Sequence, residues 1–263
     1  MTTSTIATGG RAVRRVDLPQ ARRTSFGRLV AVELRKSVDT RAGLVLLAVV
    51  ALLTVGPVGW QLTHLDHGVP DFALWAGTAR GGVALVLPVV GILAMTGEWS
   101  QRTALTTYTL VPRRGRVLAA KLVSAILLGT LAMVFSLAVA ALALVAGAAA
   151  HGDPAVWGDP GRVVAGSLVA SGLNLLMGAA FGALLGQTAV AVAVFLLAPT
   201  LWQVAGPALL HDDARWLDVF AAFGDLSDLS TGGHTGQVVV AVAAWVGLPL
   251  LLGTLRSMRR DVS

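Results

Sequence analysis

Six stretches of this chain carry almost no charge, and each has or approaches the length needed to cross a lipid bilayer: residues 43–62, 74–95, 122–150, 163–185, 189–210 and 238–255. An α-helix rises about 1.5 Å per residue and the hydrocarbon core is about 30 Å thick, so roughly 20 apolar residues span it. Lipid offers no partner to a bare N–H or C=O, so a spanning segment must satisfy its own backbone or belong to a closed barrel. These runs lack the period-2 alternation of barrel strands. The expected fold is an all-α integral membrane bundle of six transmembrane helices. Composition agrees: 13% of the 263 residues are charged, against about 25% in an ordinary soluble domain.

Charge placement orients the bundle. Of the 20 Lys and Arg residues, only Arg80, Arg162 and Arg215 fall on one side of it. The others stand before the first run, between the second and third, or after the sixth. Basic residues flank spans on the cytoplasmic side, so both termini are expected in the cytoplasm, in a multi-pass protein of the plasma membrane. The net charge of +6 then reads as topology and not as a nucleic-acid footprint. The chain holds no cysteine, which removes disulfides and thiolate chemistry.

Residues 1–21, "MTTSTIATGGRAVRRVDLPQA", are small, polar and basic, and are expected to be disordered. The next stretch differs. Phe26, Leu29, Val30, Leu34 and Val38 recur at helical spacing, with Arg28, Arg35, Lys36 and Asp39 mostly off that stripe. An amphipathic helix in the cytoplasmic interface is expected, capped by Thr24 or Ser25. It could anchor to anionic lipid alone or also touch a partner protein.

Within the fourth run Gly178, Gly182 and Gly186 repeat every four residues, below Ser167, Ser171 and Asn174. Small residues on one face let another helix approach closely, inside the chain or across a dimer seam. Asn174 is the one strongly polar residue well inside a span. Arg80, near the outer end of its span, can reach the headgroups. Pro88 and Pro199 each remove one helical hydrogen bond. Between Pro207 and Gly236, the residues Trp216, Leu217, Phe220 and Phe223 mark a short helical face, either an interfacial or re-entrant helix or an aromatic anchor.

Several chemistries are excluded. There is no GxxxxGK[ST] loop, so this chain lacks the phosphate cradle that binds ATP, and there is no GxSxG or HExxH. His64, Asp66 and His67 cluster in one loop with no fourth ligand nearby in sequence. The buried carboxylates of a proton-driven pump are lacking. No catalytic, cofactor-binding or metal site is expected on this chain.

One polar island remains: "GEWSQRTALTTYTLVPRRGRVLAAK", residues 97–121. A mere turn needs about 2–8 residues. Ala104, Leu105, Tyr108 and Val111 mark one face of a short helix, and Pro112 breaks it. Such a stiff element between two spans could pass a push from a cytoplasmic partner into the bundle. A solvated loop whose arginines only set topology is the other reading.

The order of these features resembles the permease subunit of ABC-2-type ABC transporters. That family has an interface helix with an E-x-x-K-like segment before the first span, here Glu33 and Lys36 in "VELRKSVDTR". Its second span ends in an acidic residue, followed by a Gly-Thr pair, a short coupling helix, a P-x-R turn and a lysine entering the third span. The matching positions are Glu98, Arg102 with Thr103, the face of Leu105 and Tyr108, Pro112 with Arg113 and Arg114, and Lys121. Arg102 stands where glycine is commoner. The resemblance covers residues 22–263 and implies one transmembrane domain. It further implies a homodimer or heterodimer with a second permease subunit and two copies of a separate ABC subunit that binds ATP and Mg. The expected activity is ATP-driven export of a hydrophobic or amphipathic substrate from a bacterial cell. A membrane scaffold or sensor, or less favourably an intramembrane enzyme, is the alternative.

Overall fold

The computed structural model describes residues 25–65, 68–100 and 114–259. The basic tail 1–21 and the segment 101–113 lie outside the described residues. All regular elements among the described residues are helical: α1 (Phe26–Val38), α2 (Arg41–Leu62), α3 (Phe72–Ser100), α4 (Arg114–His151), α5 (Pro160–Leu185) and α6 (Thr188–Leu210). A 3-10 helix, His211–Leu217, leads into α7 (Val219–Ser227). The chain ends in one rod made of α8 (Thr235–Val242), a single π-helical turn (Ala243–Gly247) and α9 (Leu248–Arg259). Six helices are long and apolar enough to cross a membrane. The start of α2, the end of α3, the start of α4 and the end of α9 share one end of the bundle, called here the terminal end. The 3-10 helix and α7 lie at the far end.

Side-chain caps set most helix starts. Ser25 Oγ accepts from Arg28 N, Thr40 Oγ1 from Gly43 N, Asp71 Oδ1 from Leu74 N and Asp159 Oδ1 from Arg162 N. Each cap satisfies a first-turn N–H that has no intrahelical partner. The helices outrun the apolar runs that announce them. α3 continues through Gly97 and Glu98 to Ser100, and α4 starts at Arg114 and not near Leu122. Arg114, Arg116 and Lys121 therefore sit on a helix and not in a loop. The reason is that hydropathy marks only the stretch lipid tolerates, whereas Arg and Lys are good helix formers beyond it.

α5 is the post of the bundle. It lies against α3, α4, α6, α7 and α9, and 56% of its apolar stretch is buried, against 22% for α2 at the edge. Lipid tails are as apolar as leucine, so helices in a membrane gain little by hiding side chains and must pack backbone close to backbone. Glycines permit this. A Cβ on Gly178 would stand 2.2 Å from Pro88 O of α3, and one on Gly91 of α3 would stand 2.3 Å from Leu175 O of α5. Gly182 continues the seam against Ile92. Gly186 belongs to the same four-residue repeat but does another job. It ends α5 in the left-handed conformation, φ 68°, with its N–H on Gly182 O, a geometry that favours glycine. The turn to α6 is only Gly186-Gln187.

Proline and asparagine meet inside this seam. Pro88 lacks the N–H that would bond to Ala84 O, one turn back in α3. Asn174 Nδ2 of α5 donates to that carbonyl at 2.8 Å. Pro57 likewise frees Leu53 O in α2, and Gly82 of α3 presses its hydrogen towards it, since a Cβ there would stand 2.2 Å away. Both freed carbonyls are thus met by the neighbouring helix, as a low-dielectric surrounding demands. Asn174→Ala should cost about 0.5–2 kcal/mol. In a Pro88→Ala background the restored N–H takes over Ala84 O, and the same substitution should then cost nothing. Thermal unfolding of the four proteins in detergent reads the cycle, and equal losses in both backgrounds would contradict it.

Candidate functional site

The terminal end holds the residues that the sequence singles out for coupling. Arg102, Thr103, Leu105, Tyr108, Pro112 and Arg113 lie outside the described residues. Glu98 falls in the last turn of α3, and Arg114 opens α4. What the structure brings together is Glu33, Lys36 and Lys121.

Glu33 sits on the inward face of α1 beside Leu29, Val30 and Leu34, which are buried or half-buried. α1 lies mainly against α4, with a lesser contact on α2. Val117, Ala120, Lys121 and Ser124 form the buried strip of α4 at this level. Lys121 Nζ reaches Glu33 Oε2 at 2.8 Å, and Lys36 Nζ reaches Oε1 at 2.9 Å. One carboxylate therefore bridges two ammonium groups, one on its own helix and one on α4. The two halves are unequal. In the inter-helix pair the side chains are 8% and 13% exposed, whereas Lys36 is 52% exposed.

Burial pushes the Glu33 carboxyl up, but Lys121 and then Lys36 outweigh it and hold it below the usual carboxylate range. A group whose pKa is depressed by folding stabilises the fold above its unfolded value, and that contribution is lost as pH falls through the folded value. The ionic contribution of this bridge is thus present at neutral pH and is lost as pH falls below the ordinary carboxylate range.

Two further polar contacts fix this end. Thr96 of α3 and Thr188 of α6 share a hydrogen bond of 2.8 Å between their hydroxyls. Arg256 of α9 donates to Leu184 O at 2.6 Å, satisfying one of the carbonyls that the end of α5 leaves without a partner. Segment 101–113 therefore leaves and rejoins the bundle at two pinned points. α3 is tied to α6 one turn before Ser100, and α4 is tied to α1 two turns after Arg114. The sequence marks Arg256 only as a basic residue of the tail and Thr188 only as part of the turn after the fourth run, and no local pattern pairs Thr96 with Thr188 or Arg256 with Leu184.

At the far end, Arg80 does not reach out to the headgroups. Its guanidinium turns inward and NH1 donates to Ser167 Oγ of α5 at 3.3 Å, where Ser167 is fully buried. A groove of about 260 Å³ opens between α6, the 3-10 helix and α7, lined by Trp202, Gln203, Asp212, Arg215 and Asp218. Asp66 and His67 lie outside the described residues. The His64 ring stacks on Trp60 at 4.6 Å, and its Nδ1 lies 2.9 Å from Trp60 O. No group of three His, Cys, Asp or Glu side chains among the described residues could hold a metal ion.

No protein-family model matches this chain, and no curated protein matches it. The functional reading therefore rests on the residues themselves.

A double-mutant cycle separates the two halves of the bridge. Glu33 with Lys121 should show a coupling of about 1–3 kcal/mol, since both side chains of this pair are largely shielded from water. Glu33 with Lys36 should show about 0.2–1 kcal/mol, as exposed pairs do. Unfolding of the single and double variants at pH 7 measures both, and equal couplings would contradict the geometry.

Proposed function

We propose that the chain is the membrane-spanning permease subunit of an ATP-driven transporter of the ABC-2 type, an exporter of hydrophobic or amphipathic molecules. In this reading the terminal end faces the cytosol and α1 lies in the cytoplasmic interface. The observation that carries it is the pinning of segment 101–113 at both ends, by Thr96 to Thr188 and by Lys121 to Glu33. A segment pushed from outside the bundle transmits force only if its roots do not give. A purely solvated connector has no need of roots fixed by part-buried polar bonds, whose groups must be partly desolvated.

The sequence supports the same division of labour. With no phosphate-binding loop on this chain, ATP and Mg belong on a separate subunit, in two copies for a pair of permease chains. Nucleotide-driven closure of that pair would press on Leu105, Tyr108 and Pro112. The push would pass into α3 and α4, with α1 carried along by Lys121, and the far end would open. Glu33, which the resemblance would allow at a contact between subunits, is spent inside the chain. That leaves Glu98, Arg102, Arg113 and Arg114 to meet charged groups of the partner.

Purification of the chain in mild detergent tests this directly. An ATPase should co-elute in stable proportion, its ATP turnover should change when the complex enters liposomes, and Tyr108→Asp should lower its recovery roughly tenfold, the loss of one interface hot spot. Failure of any ATPase to accompany the unaltered chain would overturn the proposal. Partner ATPase indifferent to this chain would favour a scaffold instead.

A further inference from the structure

The groove at the far end combines an indole that is fixed in place with carboxylate oxygens that are left open. A Cβ on Gly206 of α6 would stand 3.0 Å from Trp202 Cε2 and 3.1 Å from its Nε1, so the ring lies against a bare position of its own helix. Trp202 Nε1 also donates to Ala214 O at 3.1 Å, which ties the ring to the 3-10 helix. Asp218, the cap of α7, is anchored through one oxygen alone. Its Oδ1 accepts from Gln203 Nε2 at 2.6 Å and from Ala221 N at 2.9 Å. No bond from the described residues reaches Asp218 Oδ2 or either carboxylate oxygen of Asp212.

The lining is therefore rich in acceptors and poor in free donors. Arg215 is the permanent cation among the lining residues, and its guanidinium already pairs with Asp225 at 3.1 Å. An aromatic ring attracts a cation to its face, and carboxylates within a few ångströms add direct charge attraction. Together they suit an ammonium group and repel an anion. The size of the groove, about 260 Å³, falls short of the roughly 300–1,000 Å³ of a site that encloses a drug-sized molecule, and suits a head group. Around it α6 turns Leu197, Leu201 and Val204 to the outside, 58%, 62% and 75% exposed. That strip gives an apolar tail a place among the lipid chains while the head stays in the groove.

We propose that this groove is a binding site for an ammonium-headed amphipath, with Trp202, Asp212 and Asp218 holding the head and the lipid-facing strip of α6 taking the tail. The site stands on these contacts alone. That its occupant is cargo, and not a resident lipid with an amine head, rests on the transport reading, and names the substrate class within it.

Because the chain contains no cysteine, Ala221→Cys on the groove wall reports occupancy through protection from a maleimide, with the purified chain in a maltoside detergent. Octyltrimethylammonium should halve the labelling rate at a concentration roughly tenfold below that needed with octyl sulfate. Asp212→Asn with Asp218→Asn should bring the two concentrations within about threefold; asparagine still caps a helix, so α7 keeps its start. Asp153→Asn with Asp213→Asn removes the same charge outside the lining and should leave the preference in place. Asp212→Asn alone, at a side chain with no bond to lose, should weaken protection by the cation about threefold, and so should Trp202→Leu. The proposal falls if cation and sulfate protect equally, if the preference survives the paired groove variant, or if the outer pair abolishes it. In liposomes with the ATPase complex, ATP should drive movement of octyltrimethylammonium, and Asp212→Asn should raise its half-saturating concentration about threefold. Labelling slowed by phosphatidylethanolamine relative to phosphatidylglycerol, with no ATP-driven movement, would make the occupant a resident lipid. That result would keep the site and count against the transport reading.

Discussion

The bundle depends on a backbone-to-backbone seam between α3 and α5. Gly178 faces Pro88 O while Gly91 faces Leu175 O, so each helix offers a bare position to the other's main chain. Among lipid tails no water is released when two apolar faces meet, and attraction comes from contact density alone. Distance then decides everything, and a single Cβ at either glycine would hold the helices apart. The same device attaches the periphery: Gly166 of α5 admits Ser227, and Gly253 of α9 admits Ala183 and Leu184 of α5. A post built this way can be rigid while its outer helices, α2 and α6, remain largely open to lipid.

On that frame, polar contacts tie the helices together at both ends. At the terminal end the part-buried bonds of Lys121 with Glu33 and of Thr96 with Thr188 join helices far apart in sequence. At the far end Arg215 makes a part-buried pair with Asp225, and Gln203 Nε2 donates to Asp218 Oδ1 at 2.6 Å in an exposed bond. Buried bonds resist breakage because separation strands desolvated groups. Exposed ones exchange with water at little cost.

Much of the architecture was legible in the sequence, because lipid imposes so simple a rule on length and charge. The six runs correspond to the six long helices, and Ser25, one of the two residues expected to cap the first helix, does so. The repeat of Gly178 and Gly182 marked a face but not what lies on it, since spacing fixes direction and says nothing of the partner. Pro88 and Asn174 were each visible as oddities; that one answers the other required knowing that α3 and α5 are neighbours in register. Arg80 read as a headgroup seeker because Ser167, 87 residues away, was not seen to be its partner. Glu33 was named by resemblance, yet its bridge to Lys121 depends on how α1 lies on α4, which no local pattern encodes. The helix ends ran past expectation for the reason that makes hydropathy useful: it measures tolerance for lipid and not helical propensity.

The account turns on which side of the membrane receives segment 101–113 and on what grips it there. A single cysteine at Thr106, probed with an impermeant maleimide in intact cells and in inverted vesicles, measures this most directly. Labelling is expected in inverted vesicles alone, and slowed there when the ATPase subunit is bound. Labelling from the outside of intact cells, or a rate indifferent to that subunit, would contradict it.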